Sequence, residues 1–308
     1  MASGRPGAGG LRHRTLLVLL VLAWAVSWPV IKVGVTAVPP LWFGCWRYLI
    51  AAACLFTVQA LRREVVIPPH SDWPLVAVSG ALQMAAYSAL TGLALTELPP
   101  GRASVLAFST PIWVVPLAAW RLHEGVSRRA LLGVALGLLG VLAIAAPSLH
   151  AQRAQQLLAY AMLLGAAAAW AVSIVFVRAH RFTATPLALA PWQMLLAATL
   201  LLPVAIIVEG APTSIGEQGA ASLAYVGPVA TAFAYWAVVE AGRRFRAQTI
   251  SMALLATPAL GIVISAVTLG EALGASLVAG MLLIGAGIRL AAITSEGKTH
   301  ARRQVPRQ

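Results

Sequence analysis

Lys32 and Arg47 are cations set inside runs of apolar residues, and Trp24, Tyr87, Trp170 and Tyr235 are large rings set inside other such runs. An isolated charge in hydrocarbon costs roughly several kcal/mol, so each cation needs a cavity, a partner or a way to snorkel out. Two readings stand for both. Each could attract the carboxylate of a small solute, or each could bond helix-end carbonyls and lipid phosphates. Trp24 and Trp170 offer flat faces to an apolar or aromatic solute, or they simply fill space between helices. Gln83 and Tyr87 are four apart and share a helix face with a polar character that points inward. Tyr235 and Trp236 give a later run the same character. Ser109-Thr110-Pro111 and Ala256-Thr257-Pro258 place a proline after small polar residues. Pro111 and Pro258 each free a carbonyl one turn back and permit a kink. The expected solute-contacting set is Trp24, Gln83, Tyr87, Ser109, Trp170, Tyr235 and Trp236, with Lys32 and Arg47 as carboxylate contacts. Catalytic dyads, metal-ligand clusters and a phosphate-binding loop are absent, so no cofactor and no metal are expected.

The elements that carry these residues follow from composition. Of 308 residues, 60% are hydrophobic and only 10% charged, with a mean hydropathy of +0.84. A soluble domain carries about 25% charged residues to cover its surface. Lipid is therefore the solvent. The net charge of +13 does not point to nucleic acid, because the basic residues sit in short clusters between apolar runs, as membrane-flanking charge does. Cys45 and Cys54 lie nine positions apart in one such run, roughly 13 Å along a helix, which is too far for a disulfide. Arg5, Arg12 and Arg14 before an apolar run imitate a signal peptide, but that run recurs later in the chain, so it is read as retained.

Runs of about 20 apolar residues predict spanning helices. They occur at 15–36, 41–61, 73–94, 102–120, 127–146, 155–178, 185–208, 220–241, 247–269 and 273–293. The eighth is the least clean. With the N-terminus inside, alternate connections hold Arg62/Arg63, Arg121/Arg128/Arg129, Arg178/Arg181 and Arg243/Arg244/Arg246, and the C-terminal tail adds Lys298, Arg302, Arg303 and Arg307. The opposite connections hold only Arg102 and Arg153, with Glu97, Glu209, Glu217 and Glu271. This asymmetry predicts that both termini are cytoplasmic. Among the ten tryptophans, Trp42, Trp73 and Trp120 fit interfacial belts.

The chain also repeats itself. Ala23-Trp24-Ala25-Val26-Ser27 returns as Ala169-Trp170-Ala171-Val172-Ser173. At the same offset of 146, Lys32 meets Arg178, Pro40 meets Pro186 and Trp46 meets Trp192. At an offset of 147, Gly80 meets Gly227, Thr110-Pro111 meets Thr257-Pro258, and Glu124 meets Glu271. Gly133 meets Gly280 and Gly140 meets Gly287. Loop charges invert: Arg62/Arg63 correspond to Val208/Glu209, and Arg243/Arg244 to Thr96/Glu97. Five helices per repeat force the second to start from the other face. The expected fold class is thus an all-α integral membrane protein of ten transmembrane helices in two inverted five-helix repeats, at 15–148 and 149–294, between cytoplasmic tails 1–14 and 295–308. Inverted repeats place a solute site near the midplane at their seam. Glu124 and Glu271, recurring at helix starts, are expected as caps. Gly133, Gly137 and the glycines around Gly285 permit close helix contact within the chain or between copies, with a monomer expected.

Trp24-Ala-Val-Ser-Trp-Pro-Val-Ile-Lys32, Pro39-Pro40 leading to Trp46-Arg47-Tyr48, Ala234-Tyr235-Trp236, Thr257-Pro258 and Gly270-Glu271 resemble the ten-helix EamA-type members of the drug/metabolite transporter superfamily. The resemblance covers 15–293 and is closest to the bacterial aromatic amino acid exporters. It implies export of small metabolites across a bacterial inner membrane by alternating access. Amino acids with aromatic or other apolar side chains come first, amphipathic drugs or nucleobases second; a non-transporting scaffold is the alternative of another class. The expected partners are the solute and the bilayer. No acidic residue lies mid-span and every histidine is peripheral, so a uniporter without proton antiport is expected.

Overall fold

The computed structural model describes residues 8–150, 153–212, 214–245 and 247–303, whose regular structure is entirely helical, joined by short connections and without strands. Residues 1–7 of the expected N-terminal tail and 304–308 of the C-terminal one lie outside the described residues. The order is α1 (Ala8–Ala37), α2 (Pro40–Leu61), a 3-10 turn (His70–Asp72), α3 (Trp73–Val78), a π segment (Ser79–Ala86) and α4 (Tyr87–Glu97). Then come α5 (Pro100–Ala107), α6 (Thr110–Leu122), α7 (Arg128–His150), α8 (Ala154–Ala179) and α9 (Pro186–Glu209). Next are α10 (Glu217–Tyr225), a second π segment (Val226–Phe233), α11 (Ala234–Arg244), α12 (Ala247–Leu269) and α13 (Ala275–Arg303).

Among the described residues, eight continuous helical stretches are long and apolar enough to cross a membrane, and Ala256–Leu269 and Ala275–Leu290 are shorter apolar stretches. The stretch Glu217–Ala241, expected from sequence to be the least clean, is one of the eight. The exterior is apolar: Ile207 is 82% and Val267 80% exposed. Several helices begin on proline. Pro40, Pro100 and Pro186 occupy first-turn positions, where a missing N–H costs nothing and φ is already helical.

Two local departures from plain α-helix matter for the site. The π segments both run eight residues and lie 147 positions apart. Each holds a glycine against a neighbouring backbone. A Cβ on Gly80 would lie 2.9 Å from the Gln193 carbonyl, and one on Gly227 would lie 3.5 Å from the Arg47 carbonyl. The second departure is a break between α5 and α6 at Phe108-Ser109, just ahead of Pro111, where a kink was expected. Pro258 instead lies within a continuous α12.

Helix α7 packs along α13, α2 along α9, α1 along α12, and α8 along α4 and α6. Glycine sets the first contact: a Cβ on Gly140 would lie 2.7 Å from the Gly280 carbonyl, and one on Gly287 would lie 2.9 Å from the Gly137 amide. Gly285, grouped with them by sequence, has open space around it; Gly280 and Gly287 face α7 instead. One apolar core runs through Trp28, Phe43, Tyr48, Leu95, Leu106, Leu163, Met194 and Leu277.

Candidate functional site

Three elements bring rings together where the fourth span breaks. Phe108, the first residue of the break, touches Trp24 and Trp28 of α1 and Trp170 of α8, each with ring centroids 6.4 Å apart. Tyr87 closes on Trp170 at 5.2 Å and 77°, an edge-to-face pair. These separations lie in the range where aromatic quadrupoles attract. Trp24 and Trp170 thus meet the same ring from two helices. Trp236 lies tilted against Phe233 at 5.7 Å and packs, with Trp24, around Leu20 and Ala234.

Polar groups surround the rings, and most are satisfied. Trp24 Nε1 donates to the Ala230 carbonyl at 3.1 Å. Ser173 Oγ donates to Gln83 Oε1 at 3.2 Å, and Tyr235 Oη donates to Gln193 Oε1 at 3.2 Å. Three hydroxyls among the described residues are not satisfied: Ser109 Oγ, in the break, and Thr257 Oγ1 and Ser265 Oγ of α12 are fully buried and without a hydrogen-bond partner. Thr257 lies one turn from Gly261 on the same face, and a Cβ on Gly261 would lie 3.5 Å from Ser104 Oγ of α5 and 3.7 Å from the Ala25 carbonyl of α1. That face of α12 therefore looks onto the helices that carry Phe108 and Trp24.

The cations have protein partners. Lys32 Nζ donates to the Leu95 and Thr96 carbonyls at 2.5 and 3.1 Å, the C-terminal end of α4. Arg47 Nε donates to Thr231 Oγ1 at 2.7 Å, and its guanidinium lies over the Tyr48 ring, 5.4 Å from the centroid. Carboxylates from distant segments cap helix starts, supplying acceptors for orphan amides. Glu209 accepts from the Leu41 and Trp42 amides at 2.9 and 3.0 Å, and Glu271 from the Gly101 and Arg102 amides at 2.8 and 3.3 Å. Buried Asp72 accepts from the amides of Thr183 (3.1 Å) and Ala184 (2.8 Å) ahead of α9. Burial raises the Glu271 carboxyl above its ordinary 4.5, against the amides of Gly101 and Arg102 and the charges of Arg102 and Lys32, which pull it down. Glu124, its counterpart by sequence, instead pairs with Arg178.

One belt assignment is corrected. Trp42 is only 4% exposed, because its Nε1 donates to the Gly210 carbonyl and its ring stacks on Trp46; Trp120, 75% exposed, does face outward. A groove of about 440 Å³ beside it is lined by Val115, Pro116, Ala119, Val126, Leu131 and Val134. It offers a solute no group to orient it, and we read it as a lipid-facing seam between α6 and α7.

The EamA-like transporter family model matches residues 14–146 and again 157–293, most of the chain. This chain belongs to that family. Proteins of several bacteria resemble it over most of their length. A protein of Streptantibioticus cattleyicolor named a probable terminal-alkyne amino-acid exporter is 30% identical, over 83% of this chain and 84% of its own. One of Salmonella typhimurium named a probable amino-acid metabolite efflux pump is 27% identical, over 89% and 92%. The uncharacterized transporter YoaV of Bacillus subtilis is 25% identical, over 88% and 94%. A solved crystal structure with 22% identity shares the fold, with a TM-score of 0.61 over 96% of this chain and 99% of its own.

In this EamA-like chain the ring cluster gathers Trp24, Tyr87 and Trp170. It leaves Gln83 one contact away, through Ser173, and sets Tyr235 against α9. Phe108, Trp28, Ser173 and Gln193 are not among the site residues expected from sequence. Trp28 stands four after Trp24, on the same helix face. Gln193 is the offset-146 counterpart of Arg47, a polar residue in an otherwise apolar run. Phe108 had no signal beyond its place before Ser109.

Proposed function

We propose that this EamA-like protein exports amino acids with aromatic or other apolar side chains by alternating access, as a uniporter of the bacterial inner membrane with both termini cytoplasmic. The observation that carries the reading is the ring cluster around Phe108 beside two buried, unpartnered hydroxyls. Buried polar groups rarely lack partners unless a ligand or water supplies them. Ser109 Oγ and Thr257 Oγ1 would meet the solute's ammonium and carboxylate, while Trp24, Tyr87, Phe108 and Trp170 would hold its apolar part. In the conformation described, the rings touch one another, so solute entry parts them. Gln83, Tyr235 and Trp236 form the wall around this group. Lys32 and Arg47, held by protein acceptors, take a structural role here.

The architecture in this proposal is ten transmembrane helices in two inverted repeats, 15–148 and 149–294. It is supported by the two family matches, by π segments 147 positions apart, and by the Gly140–Gly280 and Gly287–Gly137 approaches between α7 and α13. The site then lies at the seam of the halves. Relatives named as amino-acid exporters support the solute class.

Counterflow of radiolabelled tryptophan in proteoliposomes tests the reading. Unlabelled phenylalanine and leucine should compete, whereas nucleobases and cationic drugs should not. Trp170→Ala and Tyr235→Phe should each lower the flux several-fold in folded protein; undiminished tryptophan flux in both variants would remove these residues from the site.

A further inference from the structure

Two charged pairs stand at opposite ends of the fourth span, in two different states. Gly101 and Glu124 bracket that span, 23 positions apart in the chain, so that a helix between them would be roughly 35 Å long. At the Glu124 end, Arg178 Nη2, at the end of α8, bonds Glu124 Oε1 at 2.5 Å. At the other end the offset-146 counterpart of Arg178 is Lys32, and the offset-147 counterpart of Glu124 is Glu271. These two lie within electrostatic reach of each other but are engaged elsewhere: Lys32 on the Leu95 and Thr96 carbonyls, Glu271 on the Gly101 and Arg102 amides. The backbone delivers both carboxylates the same way. Each follows one residue in the left-handed region, His123 at φ 53° and Gly270 at φ 66°. Each pair also joins the first half of the chain to the second.

We infer that Glu124–Arg178 and Lys32–Glu271 are two forms of one gate latch, made at one face of the membrane while parted at the other. The parted form is not left with bare charges. The cation moves to the carbonyl end of a neighbouring helix and the carboxylate to the amide start of another. Exchange therefore trades one set of satisfied contacts for another of similar kind, which a carrier cycling between two conformations requires. In the opposite conformation Lys32 meets Glu271, and Arg178 and Glu124 separate. Other charges face the Lys32 end: Glu97 beside Lys32 and Arg102 beside Glu271. The inference rests on the alternating-access reading above, but not on the identity of the solute.

The test is disulfide trapping in the full chain with Cys45 and Cys54 replaced by alanine. One variant carries Glu124→Cys with Arg178→Cys, the other Lys32→Cys with Glu271→Cys; size-exclusion profiles confirm folding. Without any solute, the first pair should cross-link readily and the second slowly. Adding Arg178→Glu to the second variant repels Glu124 and should raise its cross-linking at least about twofold, since exposed ion pairs bias equilibria by a few-fold. Glu124→Arg in place of Arg178→Glu, which sets two cations against each other at that same end, should raise it as well. Unchanged yield under both substitutions would overturn the latch, as would a four-cysteine variant that closes both bridges in one molecule. A separate arm adds tryptophan. Yields that respond to the charge change but not to tryptophan would leave the latch standing and count against the solute assignment.

Discussion

Ser109 and Thr257 separate a binding role from a packing role at the level of single atoms. An unpartnered buried hydroxyl costs stability, by about 1–3 kcal/mol, so Ser109→Ala and Thr257→Val should raise the melting temperature in detergent. If these hydroxyls hold the solute's polar end, the same variants should raise the KM for tryptophan severalfold. A more stable protein with unchanged KM would assign both residues to packing. Glu271 gives a second test. Its carboxyl titrates above the unfolded value of about 4.5 because burial disfavours its charge. The folded state therefore binds more protons than the unfolded one between the two values. Its contribution to stability is fully present below about pH 4.5 and is lost as pH rises through the raised value. Glu271→Gln should flatten that part of a melting-temperature profile recorded from pH 4 upward.

Glycine and π-helical backbone set how closely the elements approach. The contact between α7 and α13 has no room for a Cβ at Gly140 or Gly287. Gly287→Val should therefore destabilise the protein by about 1–3 kcal/mol through overpacking, measured by thermal unfolding in detergent, while the particle mass stays that of the wild type. A change in mass would show that this seam also joins copies. The π segments do a related job. They bring Gly80 and Gly227 against the α9 and α2 backbones, and π geometry of this kind recurs at functional sites. Few of these contacts could be read from residue types. The offset of Gly80 and Gly227 was legible, but not the helical form around them.

At the scale of the whole molecule, the proposed uniport mechanism predicts that tryptophan flux in proteoliposomes is unchanged when ΔpH and the membrane potential are collapsed. Strict dependence on ΔpH would require a titratable group in the pathway that this reading lacks. Hydropathy, basic-residue asymmetry and the repeated residues made the membrane class legible, and the repeat pointed to the seam. Trp24, Tyr87 and Trp170 could be chosen because a ring or polar group inside an apolar run is visible in one dimension. Phe108 could not, because a phenylalanine in a span is the ordinary case.

What the sequence by itself determined is the solvent and the family, since these depend on composition and spacing. Tertiary structure decided which of two acceptors each charge takes. Lys32 and Arg178 are equivalent by spacing, yet one bonds carbonyls and the other a carboxylate. That choice depends on how helix ends meet across the bundle, through distances of a few ångströms between segments far apart in the chain. The break at Phe108-Ser109 is of the same kind. Proline licensed a kink at both Pro111 and Pro258; the helix is interrupted just ahead of Pro111 and runs on through Pro258.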